Sequence, residues 1–207
     1  MKVWLVNLFY NLPAEGYPPQ RYWQMAEAFA DSGCEVTYFT SSFSHANKAP
    51  RRFLPPERTG VPRRFRGADS PIRVVALAAP PYRRNIGLRR VWSHLRTALD
   101  FRRASAGWAR EHGRPDLVVA ATPPLSLALA AMDRAHGLGA KFVADVNDAW
   151  PETFYRLLPR WTLGWMRRMA RRLYCGADAV VAVSERYLDL ARGYGAKSPM
   201  HVAYHSA

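Results

Sequence analysis

The chain has 207 residues, enough for one domain with a sizeable core or for a large domain with an arm. Its apolar content of 49% is ordinary for a globular protein, and no uninterrupted apolar run reaches the roughly 18 residues that a membrane-spanning helix needs. The charge is unusual: 30 Lys+Arg against 16 Asp+Glu give +14, and only four of the cations are lysines. Arginine is weakly hydrated and contacts phosphate in a planar fork, so the excess points to nucleic acid, an anionic membrane surface or a phosphorylated substrate, unless it only reflects codon usage. Cys34 and Cys175 stand far apart, outside any metal-like spacing, and read as buried or free thiols of a reducing compartment.

Along the chain, MKVWLVNLFYNL has one lysine and an apolar run but no small-residue cleavage site. It reads as a buried first strand over residues 3–9 and not as a leader. A loop over 10–19 holds Pro13, Gly16, Pro18 and Pro19. Apolar residues at helical spacing predict a helix over 20–32 ended by Gly33, and 35–40 is the second strand. Residues 41–71 are polar and rich in Pro and Arg, too long for an ordinary connection, so the segment is functional or mobile. A third strand covers 72–78. A helix over 85–112 is expected to carry Val91, Leu95 and Leu99, joined by Trp92, on an apolar face. Further strands fall at 116–121, 141–146, 179–183 and 201–204. Helices are expected at 124–136, 151–158, 162–174 and 184–194, the last capped by Ser184. This alternation predicts a doubly wound, Rossmann-like α/β fold with a parallel sheet, whose ligands lie at the C-terminal strand ends.

Those ends hold the candidate chemistry. Asp148 follows the 141–146 strand, where a carboxylate faces a cleft and can accept a hydrogen bond or a proton from a ligand hydroxyl. Pro151 suits a helical first turn, and Glu152 there suits the helix dipole. Asp148 as a helix cap, Trp150 as core and Glu152 as a dipole partner are the competing structural roles. Thr122, ahead of Pro123 and Pro124, either faces a ligand or caps the next helix.

An ordered set of segments resembles the N-terminal, acceptor-binding domain of family-four retaining glycosyltransferases of GT-B architecture. The set is Gly33-Cys34-Glu35-Val36-Thr37, PDLVVAATPPL at 115–125, KFVADVNDAWPE at 141–152, ADAVVAVSE at 177–185 and MHVAYHSA at 200–207. Three departures stand out. The paired glycines after the first strand are reduced to Gly16, Asn147 replaces a His or Arg before Asp148, and Tyr204-His205-Ser206-Ala207 replaces the hinge Pro-Asn-Gly-Val. The resemblance implies one acceptor-binding domain over 1–207, with the donor-binding domain absent and supplied in cis or in trans. It implies transfer from a sugar nucleotide to a lipid-linked or polysaccharide acceptor in bacterial surface glycan synthesis. Asp148 is then the catalytic residue, and Gly16, Thr122, Asn147 and Glu152 are substrate-binding. No metal and no cofactor are expected. The isolated chain is expected to be inactive. Alternatives are a non-catalytic subunit of a split transferase, or a basic nucleic-acid-binding α/β domain, although no nucleic-acid motif is present.

Two stretches concentrate the charge. Residues 82–110 hold eight arginines and one acid, Asp100, and 154–174 hold six arginines and no acid among Trp, Leu and Met residues. Interfacial helices use that mixture on anionic lipid. With the basic loop 51–66, it predicts peripheral binding to the cytoplasmic face of the plasma membrane through Arg160, Trp161, Trp165, Arg167, Arg168, Arg171 and Arg172. The alternative is an ordinary core-facing helix with a solvated arginine face.

Overall fold

A computed structural model describes residues 1–51, 62–64, 72–84, 87–154 and 160–204, with the backbone alone at 62–64, 154, 160 and 161. The chain divides into two compact units, Met1–Leu117 and Val118–Ala207.

In the first unit, β1 (Lys2–Val6) leads through a short 3-10 turn (Pro13–Glu15) into α1 (Arg21–Asp31), and β2 (Glu35–Ser41) follows. A small antiparallel hairpin, β3 (Phe43–Ser44) and β4 (Ala49–Pro50), comes next. After it come β5 (Pro62–Arg64), β6 (Ile72–Leu77) and the 25-residue α2 (Leu88–His112). The strand order is β1-β2-β6-β5. β1 and β2 run parallel with Leu5 opposite Tyr38, β2 and β6 run parallel with Phe39 opposite Val75, and β5 is antiparallel to β6. Val3, Leu5, Val6, Phe39, Val74 and Leu77 are fully or almost fully buried, as expected of strands covered on both faces. Gly33 lies beyond the end of α1 at φ 80, the left-handed position that glycine takes without a Cβ clash.

The second unit holds β7 (Leu117–Thr122), which begins at the boundary, then α3 (Leu125–Gly137), β8 (Lys141–Val146), α4 (Arg160–Gly176), β9 (Ala179–Ala182), α5 (Glu185–Gly193) and β10 (Met200–Val202). The strand order is β10-β9-β8-β7, with β8, β9 and β10 parallel. Each unit thus alternates strand and helix, the expected Rossmann-like α/β architecture. The expected helix over 151–158 is a single 3-10 turn at Glu152–Phe154, and its remainder lies outside the described residues.

The expected apolar face of α2 is present and points outward. Ser93, His94, Thr97, Ala98, Phe101, Ser105 and Trp108 form the buried stripe. Leu88, Val91, Trp92, Leu95 and Leu99 face solvent, 37% to 88% exposed. Hydrogen bonds explain how a polar stripe can be buried. Thr97 donates to the carbonyls of Ser93 at 2.7 Å and Ala78 at 3.1 Å, and the Trp108 indole donates to Thr37 Oγ1 at 3.0 Å. The Ala78 amide donates to Asp100 at 2.7 Å. Satisfied in this way, small polar residues allow close approach of α2 to β6, and the apolar ridge is left outside.

Candidate functional site

In the second unit, the ends of β7 and β8 bring the sequence-predicted residues together. The Asn147 amide donates to the Thr122 carbonyl at 3.0 Å. Asn147 Nδ2 donates back to the buried Asp145, at 3.2 Å to its carbonyl and 3.1 Å to its carboxylate. Asn147 is therefore held by the strand it ends. Asp148 is half-buried, and its Oδ1 accepts from the Ala149 amide at 2.7 Å and the Thr153 hydroxyl at 3.3 Å. The carboxylate fixes the turn ahead of the 3-10 segment with one oxygen, and four lone-pair sites on a carboxylate leave capacity for more. Glu152 accepts from the Tyr194 hydroxyl.

Thr122 is fully buried, 3.5 Å from the Tyr174 hydroxyl. It does not cap α3, whose N-cap is Pro124. Burial pushes the Tyr174 hydroxyl up to about 12; Thr122 opposes this, and Glu152 and Asp148 add to it. Asp148, Glu152, Tyr174 and Tyr194 therefore form one polar cluster, and only its two tyrosines escaped the sequence reading.

In the first unit, Gly16 follows the Pro13–Glu15 turn at φ 83 with no atom near the position a Cβ would take. Glycine is needed there for the backbone and not for space. Glu15 holds that turn by accepting from the Leu12 amide at 2.8 Å. It also pairs with Arg51, whose side chain is fully buried. Arg51 donates further to the carbonyls of Ser41 at 2.8 Å and Tyr10 at 3.0 Å. One guanidinium thus ties the loop after β1 to the end of β2.

Beside this anchor, a recess lies where β1, β2 and β6 end, lined among others by Phe9, Ser41, His45, Tyr82, His94 and Thr97. The β3–β4 hairpin supplies His45 and Lys48 from its loop. Asn47 secures the loop by accepting from Tyr17 at 2.8 Å. Lys48 sits at φ 50, the only left-handed non-glycine among the described residues. Such a backbone costs about 1 kcal/mol or more and marks a place to look for function. Its ammonium lies 3.2 Å from His45 Nδ1, and the Tyr82 hydroxyl lies 2.6 Å from the same nitrogen. An ammonium has only protons to give, so Nδ1 accepts and the neutral ring carries its proton on Nε2.

From α2, Arg90 lies over the rings of Phe9, at 5.6 Å, and Tyr82, at 5.9 Å, while Lys48 lies 5.2 Å from the Tyr82 centroid. Burial, then Lys48 and Arg90, hold His45 down to about 4. Burial, then Arg90 and His45, hold His94 down to about 3. Both histidines are neutral at pH 7. The sequence reading missed this group because it passed over the end of the third strand, where Tyr82 follows Pro80 and Pro81.

The residues expected at a membrane lie on α4. Arg167, Arg168, Arg171 and Arg172 are exposed, and Trp165 is 53% exposed. Leu163, Ala170, Leu173 and Tyr174 are buried, so the helix presents an apolar stripe inward. Arg172 donates to Asp133 at 2.5 Å and is partly engaged. The side chains of Arg160 and Trp161 lie outside the described residues, as do most of the 51–66 loop and residues 205–207. Among the described residues no helix is long and apolar enough to cross a membrane, and no cluster of His, Cys, Asp or Glu is arranged to hold a metal ion.

Several solved structures share this fold. Sucrose-phosphate synthase from Thermosynechococcus elongatus superposes with a TM-score of 0.69 at 12% identity, over 98% of this chain and 47% of that one. HepE from Anabaena, in complex with UDP and glucose, gives 0.52 at 14% identity, over 100% of this chain and 45% of that one. A UDP-glucosyltransferase from Polygonum tinctorium gives 0.50 at 13% identity, over 96% and 51%. The chain thus spans about half the length of these enzymes, and likeness at such identity establishes the GT-B fold alone. No curated protein sequence matches the chain. A family match runs over residues 19–204, nearly the whole chain: it belongs to the family of glycosyl transferase 4-like domains.

Proposed function

We propose that the chain is the acceptor-binding half of a retaining glycosyltransferase that moves a sugar from a sugar nucleotide to a lipid-linked or polysaccharide acceptor at the cytoplasmic face of a membrane. A donor-binding domain, in cis or in trans, completes the active site. The solved enzymes of the same fold have about twice its length, and HepE holds UDP and glucose, which supports a UDP-sugar donor. Asp148 is the proposed catalytic carboxylate, with Asn147, Glu152, Thr122 and Gly16 serving substrate binding.

The exposed ridge of α2 carries the membrane part of this reading. Leu88, Val91, Trp92, Leu95 and Leu99 recur at helical spacing on one outward face, bordered by Arg89, Arg96 and Arg103. Apolar side chains enter the headgroup region and arginines pair with lipid phosphate, each basic residue adding about 1 kcal/mol near an anionic surface. The exposed arginines of α4 extend the same chemistry. Co-sedimentation with phosphatidylglycerol vesicles tests it. The wild-type chain is expected to bind, less so as salt is raised, and a variant with Leu88, Trp92 and Leu99 replaced by Ser is expected to stay in the supernatant. Equal sedimentation of that variant would remove the ridge from the reading.

A further inference from the structure

We propose that the recess framed by His45, Lys48, Tyr82, Arg90 and His94 is an anion site that takes a phosphoryl group of the acceptor. It deepens the acceptor reading above, and rests on it for assigning the anion to the acceptor. The recess itself holds about 10 Å³, room for about one water, so the anion sits at its mouth, where the cations stand. Two cations from different elements, Lys48 of the β3–β4 hairpin and Arg90 of α2, converge on the ring of Tyr82 at 5.2 and 5.9 Å. Lys48 reaches this place from a left-handed backbone that a lysine rarely takes. Both histidines beside them are neutral: His94 Nε2 accepts from Arg90 Nε at 3.5 Å and helps orient it, and His45, protonated on Nε2, can offer a ring N–H without adding charge.

Cation also presses on cation here. The charge acting on Lys48 is Arg90, and the charges acting on His45 are Lys48 and Arg90. An oxyanion between them would offset that repulsion and receive charge-assisted hydrogen bonds, which are about twice as strong as neutral ones. The recess stands at the C-terminal ends of parallel strands, where ligands of such sheets bind. Unlike the solvent-facing arginines of α2 and α4, these two cations are held over aromatic rings.

Phosphate chemistry could come from a soluble sugar phosphate or from a lipid headgroup, and two assays separate the sources. Calorimetry of the 207-residue chain with inorganic phosphate and glucose 6-phosphate, against glucose as control, reads the first. Sedimentation with phosphatidic acid vesicles against phosphatidylcholine vesicles reads the second. Saturable one-to-one binding is expected in at least one arm. Lys48→Gln and Arg90→Gln should each weaken it about tenfold or more, and Arg114→Gln, at an exposed position outside both arginine-rich stretches, should leave it unchanged. Lys48→Gly guards against a folding artefact, since it relieves the left-handed backbone and should remain as heat-stable as wild type while losing the anion.

Binding to neither probe, or equal binding by Lys48→Gly and Arg114→Gln, overturns the proposal. Failure here with sugar transfer intact in the complete enzyme would leave the transferase reading standing. Phosphate binding without transfer activity would overturn the assignment to an acceptor.

Discussion

Asp148 combines a structural task with a proposed chemical one, and two substitutions separate them. Its Oδ1 fixes the turn through the Ala149 amide and Thr153. Asparagine keeps an acceptor there, so Asp148→Asn should unfold in urea within about 0.5 kcal/mol of wild type, whereas Asp148→Ala should lose about 1 kcal/mol. With a donor-binding domain present, both should abolish transfer; normal turnover by Asp148→Asn would make the residue structural and move attention to Glu152.

Glu15 poses the opposite case. Its partner Arg51 is fully buried, and removal of one member of a buried pair leaves a charge uncompensated. Glu15→Ala should therefore cost about 3–5 kcal/mol by denaturant titration, and Glu15→Gln less, since the amide oxygen still accepts. The two recess histidines set a pH window. Their folded values, about 4 and about 3, lie below the ordinary 6.5, so the unfolded chain binds more protons between these limits. Stability is then fully present above pH 6.5 and falls as the pH drops toward 4. A His45→Gln, His94→Gln double variant should flatten the melting temperature across that range if the fold is retained.

At the scale of elements, period was easier to read than direction. The strand over 141–146 and the helix begun at Thr162 could be placed because their apolar residues recur at 2 and 3.6 and glycines punctuate their ends. The inward face of α2 could not. Leucine and valine at helical spacing marked an apolar face without its direction, and burial was decided by hydrogen bonds that Thr97 and Trp108 donate and Asp100 accepts, a tertiary fact without local signature. The recess was hidden for a related reason, since His45, Tyr82 and His94 are spread over 50 residues and only topology joins them. By contrast Asn147, Asp148 and Glu152 were legible because six residues of one strand end carry them.

The outward orientation of the α2 ridge has a measurable consequence. Leu95→Ala and Leu99→Ala should change stability by under about 0.5 kcal/mol, as surface positions do, whereas Phe101→Ala should cost about 3–5 kcal/mol. Comparable losses at Leu95 and Phe101 in urea titrations would contradict the observed face.

For the molecule as a whole, a charge of +14 over 207 residues guarantees attraction to many polyanions, so binding alone says little about specificity. What distinguishes this chain is that two of its cations are locked over aromatic rings while most arginines of α2 and α4 stand in solvent. Salt should separate the two kinds: diffuse attachment to vesicles should fade steeply with ionic strength, and capture in the recess more slowly. The outward ridge of α2 also has a consequence over descent. In this chain the demands of folding fall on Ser93, Thr97 and Ser105, and the leucines of the outer ridge answer only to whatever the ridge touches. A lineage that lost its partner surface should let those leucines drift to polar residues while keeping the serines and threonine, so the helix would record, position by position, whether its bearer still works against that surface.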